Sequence, residues 1–289
     1  MVPANESHDE AARQLRGRLS HDACVICILG GTEFRGTDSE ALVKTIAPQL
    51  EAAMGSSAIF VTGGMAGVQE TFAKHCGDGS RVWNLLPMGQ SSGYGRGTDI
   101  NAGANLEERK AIFGLIGDIY ITVEGGPGVS EEARVAHARG AVVVPLGRTG
   151  GASSGMFDFP VGALQRPCFS TEEQWSLLAS KRASVEESAA ALIAIVEKAC
   201  IDAFITKETP ATTKETPSAA PVLMGRISPA ESQLGMLQEA KVANAHEAAP
   251  MLQRCVLCRP ARLGAVFVLI LVVALSIPLT LGVRQHLRG

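Results

Sequence analysis

The chain has 289 residues, of which 46% are hydrophobic and 4% aromatic, and its formal net charge is -3. That length accommodates one or two domains with a hydrophobic core. Residues 1–205 contain 17 basic and 24 acidic side chains, whereas residues 206–289 contain 9 and 5. Because phosphate contacts along a nucleic acid need a basic face, the acidic main body argues against a nucleic-acid partner.

The first 22 residues are polar and charged. They contain no apolar stretch of about 7–15 residues, as a secretory signal peptide would. We expect residues 1–22 to be a disordered N-terminus, and the missing signal predicts that the domain that follows is cytosolic.

Five apolar, β-branched runs alternate with segments of helical periodicity over residues 23–205. The predicted strands are residues 23–29, 58–62, 81–86, 118–123 and 141–146. The predicted helices are residues 39–54, 68–76, 106–115, 130–139 and 184–203. This alternation predicts an α/β domain with a Rossmann-like, doubly wound parallel sheet, in which ligands bind beyond the carboxyl ends of the strands.

Two CxxC pairs occur in the chain. Cys24 and Cys27 lie inside the first apolar run, which favours small core residues over a redox turn. Cys255 and Cys258 precede the last apolar segment, where they are either S-palmitoylation sites or unmodified thiols. Only His246 lies near them, so a zinc site lacks ligands, and we predict neither a metal nor a cofactor.

Glycine-rich turns follow three of the predicted strands. Their glycines are Gly30 and Gly31, then Gly63, Gly64 and Gly67, and finally Gly125, Gly126 and Gly128. Each turn alone is compatible with an ordinary strand-to-helix connection. Such turns can also direct main-chain N–H groups into one concavity, next to the positive end of the following helix. Three of them at one edge of a sheet predict a nucleotide-sized cleft that binds phosphate.

A fourth glycine-rich stretch, residues 147–155, follows the fifth predicted strand. It contains Arg148, a candidate partner for an anion. The stretch is equally compatible with a loop that has no role in ligand binding.

Arg109 and Lys110 are followed by the segment DIYITVEGGPGVSEE at residues 118–132. This pair of motifs resembles the LOG (lonely guy) phosphoribohydrolases, also labelled lysine decarboxylase-like, of the SLOG superfamily. The resemblance covers about residues 23–205. It implies hydrolysis of the N-glycosidic bond of a nucleoside 5′-monophosphate, with Arg109 and Glu132 as catalytic residues, and it implies a homodimer.

The resemblance assigns a role to each motif residue. Glu132 would stabilise positive charge on the ribose or activate water, and Arg109 would hold the ribose or the base. The anchor for the 5′-phosphate would be the main chain from Gly126 to Ser130, with Lys110 nearby.

Two residues depart from the family motif. Val129 replaces a threonine, which removes a hydroxyl donor worth about 1.5–3 kcal/mol to a charged acceptor. Glu124 replaces a proline and adds a carboxylate beside the anion site, while Ser130 can supply a hydroxyl. Two rival functions follow, a nucleotide or ADP-ribose-type sensor without turnover and a carrier of another phosphorylated cofactor.

The C-terminal third changes composition. Residues 206–262 are predicted to be a Pro/Thr-rich linker with a possible short helix. Residues 263–283 contain no charged side chain, and about 20 such residues span a bilayer. We predict a single transmembrane helix there, followed by a short basic tail at residues 284–289. The alternative is a buried core helix. The lipid bilayer is thus a predicted partner, with the main domain on its cytosolic side.

Overall fold

The computed structural model describes residues 4–19 and 22–208. All of them belong to the first of two units into which the chain divides, Met1–Ala220. The predicted transmembrane helix, the basic tail, the second CxxC pair and the linker beyond residue 208 lie outside the described residues and stay predictions. Among the helices at residues 4–19 and 22–208, none is long and apolar enough to cross a membrane.

Six parallel strands form one sheet. They are β1 (Cys24–Gly30), β2 (Ala58–Thr62), β3 (Val82–Leu86), β4 (Thr98–Asn101), β5 (Ile119–Val123) and β6 (Val142–Leu146). Their order across the sheet is β4-β3-β2-β1-β5-β6. The parallel, Rossmann-like α/β fold is confirmed, and each predicted strand lies within one residue of an observed one. Strand β4 was not predicted, because this short edge strand is mostly exposed and has no apolar run.

Helices cover both faces of the sheet. They are α1 (Ala4–Leu19), α2 (Ser39–Met54), α3 (Val68–His75), α4 (Leu106–Ile116), α5 (Pro127–Ala138), α6 (Glu172–Ala179) and α7 (Val185–Glu208). Residues of α2, α3, α6 and α7 share one core cluster, and residues of α1, α4 and α5 share the other. Burial on both faces explains why the central strands read as continuous apolar runs.

The two cysteines of β1 belong to these two clusters. Successive strand residues point to opposite faces, so Cys24 lies in one cluster and Cys27 in the other. Both thiols are buried, and burial raises the pKa of Cys27 far above its ordinary value. A thiol held neutral in this way packs as a core residue and is a poor nucleophile.

The N-terminal residues 4–19 form helix α1, although residues 1–22 are predicted from the sequence to be disordered. Their apolar content is low, but Ala12, Leu15 and Leu19 fall on one helix face and are buried. This stripe packs in the same core cluster as α4. A narrow stripe within a charged segment explains why composition alone predicts disorder.

A half-buried arginine connects α1 to the sheet. Arg16 donates to the carbonyl of Ile116 at 2.8 Å and forms an ion pair with Asp118. Asp118 in turn accepts from the N–H of Val25 at 2.9 Å, so the contact joins α1, the end of α4 and the start of two strands.

We expect Arg16→Ala to lower the free energy of unfolding by about 1–3 kcal/mol, because it removes both the ion pair with Asp118 and the hydrogen bond to the carbonyl of Ile116. Urea unfolding of the 289-residue protein measures the change. Arg13→Ala is the matched control, since the Arg13 side chain is 73% exposed and its ion pair is with Glu10 of the same helix. Equal losses of unfolding free energy in the two variants would show that the contacts of Arg16 do not stabilise the packing of α1.

Candidate functional site

A cavity of about 420 Å³ opens at the carboxyl ends of the central strands. The chain runs from β1 to β2 on one side, whereas β5 pairs with the other side of β1. Such a reversal of strand order is where ligands bind in open α/β sheets, in cavities of about 300–1,000 Å³. The loops after β1, β5 and β6 line the cavity with Gly31, Thr32, Glu33, Arg35, Glu124, Gly125, Gly126, Pro127, Thr149, Gly151, Met156 and Phe157. We call this cavity the cleft.

Glu124 connects the three loops of the cleft. Its carboxylate accepts the N–H of Arg35 at 3.0 Å and the N–H of Gly36 at 2.7 Å, both in the loop after β1. Its own N–H donates to Oγ1 of Thr149 at 2.8 Å, and its carbonyl accepts the N–H of Ser153 at 3.1 Å, both in the loop after β6. One residue at the end of β5 therefore sets the position of both neighbouring loops.

The carboxylate of Glu124 lies beside the cleft as expected, but it is turned toward the β1 loop and is only 3% exposed. Its φ is 53°, a left-handed conformation that proline cannot adopt. The backbone conformation at Glu124 is therefore one that the proline of the LOG-type motif could not adopt.

Helix α5 begins at Pro127, three residues before the predicted start, and Gly126 is its N-cap. Proline is favoured at the first helical position because its missing N–H needs no acceptor there. The N–H groups of the first turn have no acceptor within the helix, so they can bind an anion.

Because α5 begins earlier than predicted, two residues predicted to bind phosphate are buried in the protein. Val129 is 7% exposed and packs against Gly125, while Ser130 is 1% exposed. The hydroxyl of Ser130 has no hydrogen-bond partner among the residues that the structure describes. Neither side chain lines the cleft. The N–H of Ser130 donates to the carbonyl of Gly126 at 3.2 Å, so of these two residues Val129 is the one whose N–H stays a candidate phosphate donor.

The glycines after β2 do not line the cleft, because β2 lies on the far side of β1. Gly67 has a φ of 75°, and a Cβ there would lie 2.5 Å from the carbonyl oxygen of Gly31. At Gly30, likewise, a Cβ would lie 2.4 Å from the side chain of Val68. Gly63 lies against the side chain of Arg109, and Gly64 lies against the side chain of Leu86. These four glycines allow close packing of the turns, and of the first two turns only Gly31 lines the cleft.

Arg109 and Glu132 meet, but inside the protein. Nη1 of Arg109 lies 2.8 Å from Oε1 of Glu132, and the side chains are 3% and 7% exposed. Arg109 also lies over the Phe113 ring, 5.6 Å from its centre. Neither residue of the pair lines the cleft, nor does Lys110, which pairs with Glu107 at 2.7 Å. The predicted catalytic pair is closed to solvent in this conformation.

Burial raises the pKa of Glu132 to about 7, while the charges of Arg109 and Lys110 oppose the shift. A carboxyl group with this pKa can gain or lose a proton near neutral pH, as general acid–base catalysis requires. Glu132 thus has a pKa suited to acid–base catalysis, but the pair is buried and does not line the cleft.

Arg148, a candidate anion ligand, has a structural role instead. Its guanidinium pairs with Asp38 at the start of α2 and donates to the carbonyl of Ser184 at 2.8 Å and to the hydroxyl of Ser188 at 2.6 Å. The side chain is 3% exposed. Arg148 therefore joins the β6 loop to α2 and α7.

Several residues that line the cleft were not predicted from the sequence. Arg35 is the one cationic side chain in the lining, and Met156 and Phe157 form its apolar part. The visible sequence signal was an apolar pair directly after a glycine-rich stretch, in a chain with few aromatic residues. Among residues 4–19 and 22–208 no group of three His, Cys, Asp or Glu side chains could hold a metal ion.

We expect Glu124→Pro to destabilise the protein more than Glu124→Gln. Glutamine can keep the φ and the bond to Thr149, so its loss is about 1–3 kcal/mol for the weakened carboxylate contacts. Proline removes the N–H and forces φ to about -65°, which costs more. Urea unfolding compares both variants with Glu33→Gln, an exposed carboxylate of the same cleft. A proline variant as stable as the glutamine variant would contradict this backbone conformation.

Glu132 also predicts a pH dependence of stability. Its folded pKa is raised above the unfolded value of 4.5 to about 7, so the folded state binds more protons between these values. The contribution is complete below about pH 4.5 and is lost as pH rises to about 7. Glu132→Gln removes this component, so its stability relative to the wild type should rise over that interval. Chemical unfolding at several pH values measures it, and Glu131→Gln, at an exposed neighbouring position, should show no such trend.

No known protein family matches the chain, and no curated protein is significantly similar to it in sequence. Among solved structures, the molybdenum cofactor carrier protein of Chlamydomonas reinhardtii is similar at 19% identity and a TM-score of 0.39, over 61% of this chain and 99% of that one. The protein TM1055 is similar at 20% identity and a TM-score of 0.38, over 46% and 79%. DNA processing protein A of Helicobacter pylori, described as binding single-stranded DNA, reaches 15% and 0.37, over 44% and 66%. Similarity at this level carries no functional argument, so function has to be argued from the cleft.

Proposed function

We propose that this domain binds a phosphorylated small molecule in the cleft, in the first place a nucleoside monophosphate, and acts as a sensor. The observation that carries the proposal is the position of the cavity. It lies at the reversal of strand order and is bordered by the N-terminus of the 12-residue helix α5. The LOG-type motif supports the same ligand class.

We assign the phosphate to the start of α5. Gly126 lines the cleft there, and a Cβ on it would meet no atom within 4 Å, so the space beside Gly126 is open. The N–H groups of the first helical turn and the exposed side chain of Arg35 supply positive charge. Main-chain donors bind a phosphate without a specific side chain, which accommodates the loss of threonine at Val129.

The charges of the lining favour one phosphate group over a polyphosphate. Arg35 is accompanied by two carboxylates, Glu33 and Glu124. Each additional phosphate would meet like charge without a further cation, and such juxtaposition is unfavourable. The exposed carboxylate of Glu33 can instead accept hydrogen bonds from the hydroxyl groups of a ribose.

Binding without turnover fits the burial of the predicted catalytic pair, since Arg109 and Glu132 lie outside the cleft lining. A second candidate function is hydrolysis of the N-glycosidic bond. The observation that favours it is the pKa of Glu132, raised by burial to about 7. Hydrolysis would require the ion pair to open toward the bound ligand.

We propose in addition that the uncharged segment at residues 263–283 anchors the sensor to a membrane with the domain in the cytosol. The homodimer implied by the family resemblance stays a prediction.

The test compares AMP with adenosine by calorimetry and thermal shift, using the 289-residue protein in mild detergent. AMP should bind and raise the Tm, and adenosine should not, because only AMP carries the phosphate. Gly126→Val should weaken AMP binding about tenfold or more, since its side chain enters the space assigned to the phosphate. Its φ of -115° and the open surroundings permit valine without loss of folding.

Gly128→Ala is the control, because alanine keeps the main-chain N–H and its Cβ would meet no atom, at a position that does not line the cleft. It should keep its affinity for AMP. Equal shifts for AMP and adenosine, or none, would refute phosphate binding. The same samples are analysed for free adenine. Release of adenine that disappears in Glu132→Gln would favour the hydrolase over the sensor.

A further inference from the structure

Two neighbouring apolar side chains are exposed at the cleft. Met156 is 53% exposed and Phe157 is 45% exposed, and both line the cavity. The other large hydrophobic side chains that are exposed in the described part of the chain lie outside this lining. Exposed apolar surface that coincides with a polar cavity marks a site of interaction.

The backbone presents Phe157 at this position despite strain. Phe157 has a φ of 60° and Asp158 a φ of 56°, so two consecutive residues with side chains are left-handed. Such conformations persist only where the surroundings enforce them, and they concentrate at functional sites. The next residue, Phe159, is buried and fastens one side of this turn.

The turn is also fastened on its other side. The N–H of Met156 donates to the carbonyl of Gly151 at 3.4 Å, and the N–H of Ala152 donates to the carbonyl of Gly125 at 2.9 Å. The loop after β6 is therefore tied to the β5 loop that leads into α5. The apolar pair and the proposed phosphate site belong to one framework and to one cavity.

We infer that the ligand carries a planar aromatic ring that stacks on Phe157, so that the cleft selects a nucleotide over a sugar phosphate. The inference rests on the proposed phosphate site and names a second part of the ligand, the part that contacts Phe157. An aromatic side chain stacks on the π-face of any base, so Phe157 selects for a ring and not for one particular base. Met156 adds adaptable apolar contact beside it.

The test measures the affinities of AMP and ribose 5-phosphate for the 289-residue protein by calorimetry. Phe157→Ala should weaken AMP binding about tenfold or more and leave ribose 5-phosphate unchanged, because only AMP has a ring to stack. Phe157→Trp should retain AMP affinity, whereas Phe157→Leu should lose most of it. Val161→Ala is the matched control, since Val161 is 72% exposed in the following segment and does not line the cleft.

Equal weakening of both ligands in Phe157→Ala, or none, would overturn the stacking role while leaving the phosphate site intact. A change in sedimentation of Phe157→Ala with unchanged AMP affinity would also overturn it and assign the ring to contact between chains. Failure of the wild type to bind either ligand would refute the proposed function itself.

Discussion

The contacts of Glu124 hold the cleft together. Its carboxylate binds the N–H groups of Arg35 and Gly36, and its main chain binds the loop after β6, so three loops depend on one residue. A buried carboxylate that accepts main-chain N–H groups also occupies an anion site that a ligand could otherwise use. In the proposed binding mode the phosphate of the ligand therefore lies at the start of α5, where Gly126 leaves the space open. The internal carboxylate of Glu124 favours a ligand with a single phosphate in that proposal.

The proposed ligand site and the candidate catalytic pair are separate in this conformation. The cleft lining includes main chain, Arg35 and an apolar pair, whereas Arg109 and Glu132 are buried and do not belong to it. Breaking a buried ion pair costs free energy, because the arginine and the carboxylate lose their mutual attraction. A ligand that drew the pair into the cleft would have to supply that free energy through its own contacts. The raised pKa of Glu132 makes the cost dependent on pH near neutrality.

The parts of the fold that were predictable share a simple physical property. The central strands are buried on both faces, so the periodicity of their apolar residues is visible locally. Strand β4 at the edge and helix α1 bury only one narrow side, and their sequences read as polar. Their burial depends on distant partners, as the contact between Arg16 and Asp118 shows. Residues 102 positions apart leave no joint pattern in a single sequence.

The sequence by itself determined the alternation of strands and helices, the parallel sheet and the placement of glycine turns at its carboxyl edge, because these follow from local periodicity and backbone freedom. Tertiary structure decided which turns meet. Pairing of β1 with β5 brings Gly31 and Gly126 to one cleft and leaves Gly63 on the other side of β1. The packing of α4 against α5 buried Arg109 against Glu132, and the tied β6 loop turned Phe157 outward. Strand order and side-chain direction depend on contacts between segments far apart in the chain, which local patterns do not encode.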